Sequence, residues 1–497
     1  MHEPRPPPRP DPPPPPPGPA PPPPADDRAA PPAAARRPRH GPGSARRPFW
    51  AAGAALLLAL TACQAPEDQG ALVFWTPHVT PDRLAQQEAT AAAFTEETGV
   101  DVDVVPMSAE DQNQSMAVGS ASGDVPDVVL LAPDQAAAWS AQGVLDAGTA
   151  DAVVQELGPD TFSRNALDMV TFEGVPAAVP SDGWGQVLVY RADLFEQAGL
   201  DPPATLEDVA DAAEELDGDG RAGIVLGTEP GDPFTTQTVE ALLLAGGCEL
   251  VDGAGEVALE EPACVDALDA YARMAGASVP GDQDVETTRA AYLSGEAAML
   301  FWGSHIYDEL AGLAPDFPPT CPECSDDPEF LAENSGTVGA LSAPDGSPVQ
   351  YGLTLNLGVP VGADTADARA FVEYLMGPGY VESLEVSPEG RVPVRPGTPD
   401  EPEVYAEAWS ELPTGEDDDS RAPLSEFYGE AVIGDIVEGA QSFRRWGYGT
   451  EHAAFAGPLA AQNTLAQEVG PLFEGEEPAV VAASMADAAR AVKADTE

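Results

Sequence analysis

From Ala71 onward, short apolar runs alternate with longer amphipathic stretches. ALVFW opens the pattern at 71–75, and an Ala-rich stretch with helical spacing follows to about Thr98. VDVDVV at 100–105 and VPDVVLLAP at 125–133 come next. Apolar runs this short read as strands, and the 3.6-residue spacing between them reads as helix. Gly99 stands where the first helix should stop, and Gly143 in AAAWSAQGVLDAG where a later one should, since glycine accepts the left-handed conformation that closes a helix. Strand, helix, strand, helix predicts an α/β protein with parallel pairing. Further helical patterns run from Leu206 to Leu216, Val239 to Leu244, Cys264 to Ala275, Ala290 to Leu293, Ala366 to Met376 and Gln462 to Leu472. Two Pro- and Asp-rich segments, Ala314 to Pro328 and Pro396 to Ser420, read as surface excursions. No internal repeat is evident.

The amino-terminal part follows other rules. Met1 to Gly43 is a Pro-rich run that cannot bury a core. Arg46 and Arg47 follow, then an apolar or small segment from Phe49 to Leu60, then Leu60-Thr61-Ala62-Cys63. The apolar segment is too short to span a bilayer as a mature helix and has the order of a cleaved signal peptide. LTAC resembles a bacterial lipobox, which would make Cys63 a lipid anchor and the first mature residue. Arg46-Arg47-Pro48-Phe49 resembles a twin-arginine export signal, although Ala45 stands where that pattern has Ser or Thr.

Charge changes the picture further. From Cys63 on there are 14 basic and 80 acidic residues, a net charge of −66, and Lys493 is the only lysine. Such a field repels nucleic acid and anionic membrane surfaces, so nucleic-acid binding is excluded as a function class. Spread over a folded surface, it reads as adaptation to salty surroundings. At 497 residues the chain exceeds what one core comfortably supports, so two lobes are expected. Besides Cys63 there are four cysteines, Cys248, Cys264, Cys321 and Cys324, an even set that fits an oxidising compartment and local pairing into two disulfides. Cys321-Pro-Glu-Cys324 also admits a redox or half-zinc reading, but no second Cys pair or nearby His supports it. Asp217-Gly218-Asp219-Gly220 has the start of a calcium loop, yet Arg221, Ala222 and Thr228 occupy positions where the loop needs a ligand, a glycine and a bidentate Glu, so a plain acidic turn is expected and no metal or other cofactor.

Six segments in order carry a resemblance: ALVFW; FTEETGVDVDVV; SGDVPDVVLLAPDQAAAWSAQGVLDAG; VPSDGWGQVLVYRADLFEQAGLDPPATLEDVADAAEEL; AAYLSGEAAMLFWGSH; and VGALSAPDGSPVQYGLTLNLGVPVGADTADARAFVEYLM. Together, over most of Ala71 to Lys493, they resemble the family 1 extracellular solute-binding proteins, the group that includes maltodextrin-binding receptors of ABC importers. The resemblance implies a two-lobe, periplasmic-binding-protein-like α/β fold (type II) with a ligand cleft between lobes, crossed by strands near Val179 to Val189 and Val349 to Gly358. On that reading 1–62 is leader plus signal peptide, 63–69 a tether, 70–182 with 352–405 lobe I, and 183–351 with 406–497 lobe II. It also implies a small-molecule ligand, most simply a sugar, an ABC importer permease as partner, attachment to the outer face of the cytoplasmic membrane through Cys63, and a monomer.

A sugar offers apolar C–H faces and a rim of hydroxyls, so aromatic rings and carboxylates or amides are the residue types such a cleft needs. The resemblance places Trp184 of PSDGWGQ facing the cleft. Asp134 falls at a hydroxyl-binding position, with a helix N-cap as the alternative. Asp232 and Phe234 of EPGDPFT match a polar contact and an aromatic stack. His305 occupies a position usually held by a stacking Trp, and Trp302 three residues earlier is its substitute candidate, which argues against a long oligosaccharide. His78, Trp446 and Tyr448 are further candidates, with core packing as the alternative. Arg391 and Arg395 border the cleft or form solvated ion pairs. A receptor for another solute, such as a polyol, polyamine or metal, fits the same fold. An enzyme such as a glycoside hydrolase fits less well, because no GxSxG, HExxH or P-loop occurs.

If the acidic surface is adapted to salt, screening should relieve its self-repulsion. The melting temperature of the chain from Gln64 onward should climb between low and molar NaCl, and a flat profile would contradict the adaptation.

Overall fold

The structure is a computed structural model that describes residues 70–496 apart from 219, 344–345, 347, 416–420 and 451. The leader, the signal segment, Cys63, the tether and Asp219 of the acidic turn lie outside the described residues.

The first half-sheet forms as the alternation predicts. β1 (Leu72–Thr76) pairs in parallel with β2 (Val102–Pro106) and β3 (Val128–Leu131), and the crossovers are the helices Pro81–Thr98 and Ala109–Ser122. Gly99 closes the first of these at φ 80°, its N–H bonded to Thr95 O. β3 is buried along its whole length, as a central strand covered on both faces must be.

β4 (Val179–Arg191) is much longer and serves two neighbourhoods. Its Gln186–Arg191 part pairs antiparallel with β5 (Met299–Gly303) and β6 (Ser335–Val338). Its Val179–Gly185 part pairs antiparallel with β7 (Pro348–Gly358), in a register that sets Leu353 opposite Trp184 and Gly352 opposite Gly185. β7 then reaches β3 through Asn356–Gly358. β8 (Val392–Pro393) flanks β4 at Asp182 and Gly183, and β9 (Phe443–Arg444) flanks β7 at Gln350 and Tyr351. Among the described residues the order is thus β8–β4–β7–β3–β1–β2, with β5 and β6 on the far part of β4. Among the described residues, β4 and β7 are the long strands shared by both sides.

One packing contact explains the glycines of these strands. The buried Phe443 ring lies against Gly183, Gly185 and Gly352, where an added Cβ would come within 3.0, 2.6 and 2.2 Å of ring atoms. Side chains alternate faces along a strand. Gly183 and Gly185 therefore face Phe443, while Asp182, Trp184 and Gln186 face the other way.

Both pairings among Cys248, Cys264, Cys321 and Cys324 are local: Cys248–Cys264 and Cys321–Cys324. The first ties the end of the helix Pro233–Ala245 to the start of the helix Pro262–Gly276.

Three expectations need correcting. Gln462 to Leu472 is not one helix: Asn463 adopts φ 52°, and Thr464–Glu468 and Gly470–Phe473 are separate short turns of helix interrupted before Pro471. Apolar spacing survives such a break, but the backbone does not, because a left-handed residue and a proline both end a ladder. The Ala314 to Pro328 segment is no mere excursion, since Ala314, Cys321 and Cys324 are buried. Nor is Pro396 to Ser420, whose helix Val404–Ser410 buries Trp409 with its indole N–H on Pro388 O, 2.9 Å away. In each case a few anchors hold an otherwise polar stretch on the core.

Gly352→Ala should destabilise the chain by about 1–3 kcal/mol through overpacking against Phe443. Urea denaturation should show most of that loss recovered in the double variant with Phe443→Ala, and strictly additive losses would contradict the contact.

Candidate ligand-binding site

The half-buried Trp184 sits where β4 leaves β7 for β5, so its position is fixed by pairing on both sides. Around it the fold gathers groups from distant sequence. His305, just after β5, meets its indole edge-on at 5.2 Å between ring centres, and Tyr351 of β7 lies at 6.5 Å. The Arg445 guanidinium is stacked between Tyr351 and Tyr448, 4.6 and 4.9 Å from their ring centres. Glu240 of the helix Pro233–Ala245 holds that guanidinium with two hydrogen bonds, Nε to Oε1 at 2.8 Å and Nη2 to Oε2 at 3.0 Å. A planar fork fixed in this way makes both tyrosine rings rigid walls. Asp134 lies exposed in the first turn of Pro133–Ala141, close enough for its charge to act on Tyr351 and Tyr448.

A second buried pair involves Asp182, two residues before Trp184 on β4. Arg391 donates from Nε and Nη2 to the two oxygens of Asp182, at 2.8 and 2.6 Å, and Ser181 Oγ donates to Asp182 Oδ2 at 2.6 Å. Arg395 is equally buried, on Thr161 Oγ1 and the carbonyls of Met376 and Leu157. The solvated reading of both arginines is therefore corrected: desolvated guanidinium groups persist because carboxylate and carbonyl oxygens satisfy them.

Burial also sets protonation. It pulls the His305 imidazole down to about 4 with help from Arg83. It pulls His78 down to about 3, aided by Arg391 and Arg83. Tyr448 is pushed up to about 12, chiefly by burial. At neutral pH these three groups are uncharged.

The remaining expected residues lie elsewhere in the packing. Asp232 caps the helix Pro233–Ala245, accepting from Phe234 N at 2.8 Å and Thr235 N at 3.3 Å. Phe234 is buried 6.5 Å from the ring of Trp302, whose indole N–H donates to Val285 O at 3.1 Å. Trp446 is buried, its backbone N–H on Glu240 Oε1 and its indole on Cys248 O. His78 follows β1, with its backbone N–H on Thr76 Oγ1. Sequence reasoning missed Tyr351, Arg445 and Glu240. The only signal for Tyr351 was the aromatic in PVQYG next to a strand glycine, and Glu240 gave none, since it sits in a helix that reads as apolar core.

Residues 77–382 match the model of the bacterial extracellular solute-binding proteins. The chain belongs to that family. Among known proteins it is 24% identical to the ABC transporter periplasmic-binding protein YcjN of Escherichia coli strain K12 over 331 residues, 65% of this chain and 72% of YcjN. Among solved structures, the cyclic alpha-maltosyl-1,6-maltose binding protein of Arthrobacter globiformis superposes with TM-score 0.63 at 18% identity, over 85% of this chain and 98% of that one. An ABC transporter solute-binding protein of Agrobacterium radiobacter K84, solved with ribitol, gives 0.58 at 20% identity, over 86% and 100%. These likenesses show the fold, the two-lobe α/β architecture of periplasmic binding proteins with its cleft between lobes. The family is one of exported transport receptors. No helix among the described residues is long and apolar enough to cross a membrane.

In the unfolded chain both histidines titrate near 6.5, so below that pH the unfolded state binds more protons than the folded one. Stability should fall as pH drops from 6.5 and go on falling to about 4 for His305 and about 3 for His78. Chemical denaturation at pH 7 and pH 4.5 should show a smaller acid loss in His305→Gln than in the parent, and an equal loss would contradict a buried neutral His305.

Proposed function

We propose that this chain is a lipid-anchored receptor that captures a carbohydrate in the cleft carrying Trp184 and delivers it to the permease of an ABC importer. The supporting observation is the ring set itself: a half-buried tryptophan on the strand shared by both lobes, flanked by His305 and Tyr351, with Arg445 stacked on Tyr351 and Tyr448. Flat apolar rings beside hydrogen-bonding groups are what a sugar's faces and hydroxyls require. The cyclic alpha-maltosyl-1,6-maltose for which one solved relative is named and the ribitol bound to the other point the same way.

We take the lobes as 70–182 with 352–405 and 183–351 with 406–497, a division that the exchange of strands along β4 supports. Ligand contacts to both lobes favour the closed arrangement, and the closed form is what a permease recognises. Capture and release need no covalent chemistry, so the chain acts as a receptor rather than an enzyme, and as a monomer. Cys63, diacylated after cleavage of the signal, holds it at the outer face of the cytoplasmic membrane.

A thermal-shift screen of residues 64–497 in high salt, against mono- to trisaccharides, polyols, polyamines and metal ions, tests the reading. A specific ligand at a hundred times its Kd adds about 2.7 kcal/mol to stability. A sugar should raise the melting temperature in the parent and fail to do so in Trp184→Ala, whereas turnover of a glycoside or a response to metals alone would sink the proposal. In the export host, Cys63→Ser should move the protein from the membrane to the medium, and unchanged membrane retention would refute the anchor.

A further inference from the structure

The buried carboxylates beside the ring set are not equivalent. Asp182 holds the Arg391 guanidinium and Glu240 that of Arg445, each through two hydrogen bonds. Glu389 is also buried, at 8% exposure. Its Oε1 accepts from Ser387 Oγ, and no cationic group among the described residues forms an ion pair with it. Arg83 reaches it only through the intervening hydroxyl, donating to Ser387 Oγ at 3.3 Å from an exposed position where water screens the guanidinium.

The backbone fixes where this carboxylate stands. Glu389 is the middle residue of the short turn Pro388–Gly390, pinned by Trp409 Nε1 on Pro388 O at 2.9 Å and by Ser304 Oγ on Glu389 O at 3.2 Å. Ser304 and His305 follow β5 directly, and the His305 ring lies so close to the turn that a Cβ at Gly390 would come within 2.7 Å of its Nε2. The same imidazole meets the Trp184 indole. The turn is thus clamped beside the ring set. Asp134 adds a further negative charge that acts on Tyr351 and Tyr448, and the neutral histidines offset neither acid. A buried carboxylate without a cation costs free energy, and a cationic group bound against it recovers that cost.

Resting on the carbohydrate reading, we infer that the ligand carries an ammonium among its hydroxyls, as an amino sugar does, and that Glu389 is the specificity-determining counter-charge. The net charge of −66 from Cys63 on gathers cations toward the molecule, and Glu389 turns that general attraction into a choice at one place. A neutral sugar leaves Glu389 with its hydrogen bond from Ser387 and no cation. A uronic acid sets a second carboxylate against the first.

Calorimetric titration of residues 64–497 with neutral hexoses and disaccharides, their singly amino-substituted forms, the N-acetylated forms of those amines, the uronic acids and spermidine decides this. The best amino form should bind on the order of 100-fold tighter than both the sugar without the amine and the N-acetyl form. Buried pairs are screened much less than surface ones, so the preference should persist in molar NaCl. In Glu389→Gln the amino and neutral forms should bind alike. If that variant fails to fold, the charge series and its salt dependence on the parent chain still decide. A neutral sugar binding as tightly as its amino form, a preference erased by salt, or a preference that survives in Glu389→Gln would overturn the inference while leaving the carbohydrate reading intact. Silence from every sugar, with or without a response to spermidine, would overturn both.

Discussion

A strand that must run through two lobes of a protein is constrained on both faces at once. β4 and β7 pair with each other through Leu353 and Trp184, and each continues into a different half of the sheet. Where they cross, one face is packed by Phe443, and the room for its ring comes from the absence of side chains at Gly183, Gly185 and Gly352. The opposite face is then free to carry Asp182, Trp184 and Gln186. The alternation of a strand thus turns a packing requirement at the back into a row of polar and aromatic side chains at the front. The positions of the site residues follow from that register.

The polar chemistry near the crossing obeys the same economy. An acidic surface helps a protein remain soluble in salt, but beside β4 and β7 two buried arginines are each met by a carboxylate. Asp182 and Glu240 supply it with fork-to-fork geometry to Arg391 and Arg445. Removing one member of such a pair is far costlier than the pair is worth, because the other is left charged and dry. Stacking of Arg445 between Tyr351 and Tyr448 makes the same ion pair a wall of the site. Under the proposed function, stability and ligand recognition share atoms here, and the site cannot be loosened without cost to the fold.

Much of this was legible in the chain and some was not. The β1 to β3 alternation and the stop at Gly99 are local effects, and they appear where the spacing places them. Trp184 stood out through the resemblance alone, and the structure explains the glycines on either side of it by one ring 258 or more positions away in the chain. The Arg445–Glu240 pair was invisible, since nothing in a helix reading PFTTQTVEALLLA marks its one acid as a partner for an arginine in another region. Asp232 shows the reverse difficulty: a residue in a functional-looking motif spends its carboxylate on capping a helix. The final helix, Pro478–Thr496, was also not anticipated.

The central claim is that the crossing strands hold the ligand on the Trp184 face. A crystal structure of residues 64–497 grown with a sugar identified by binding would test it most directly. The account predicts ligand density against the Trp184 indole, within reach of His305, Tyr351 and Gln186. Density confined to the recess of about 390 Å³ beside Phe443, Asp168 and Asp252, with the Trp184 face bare, would contradict it.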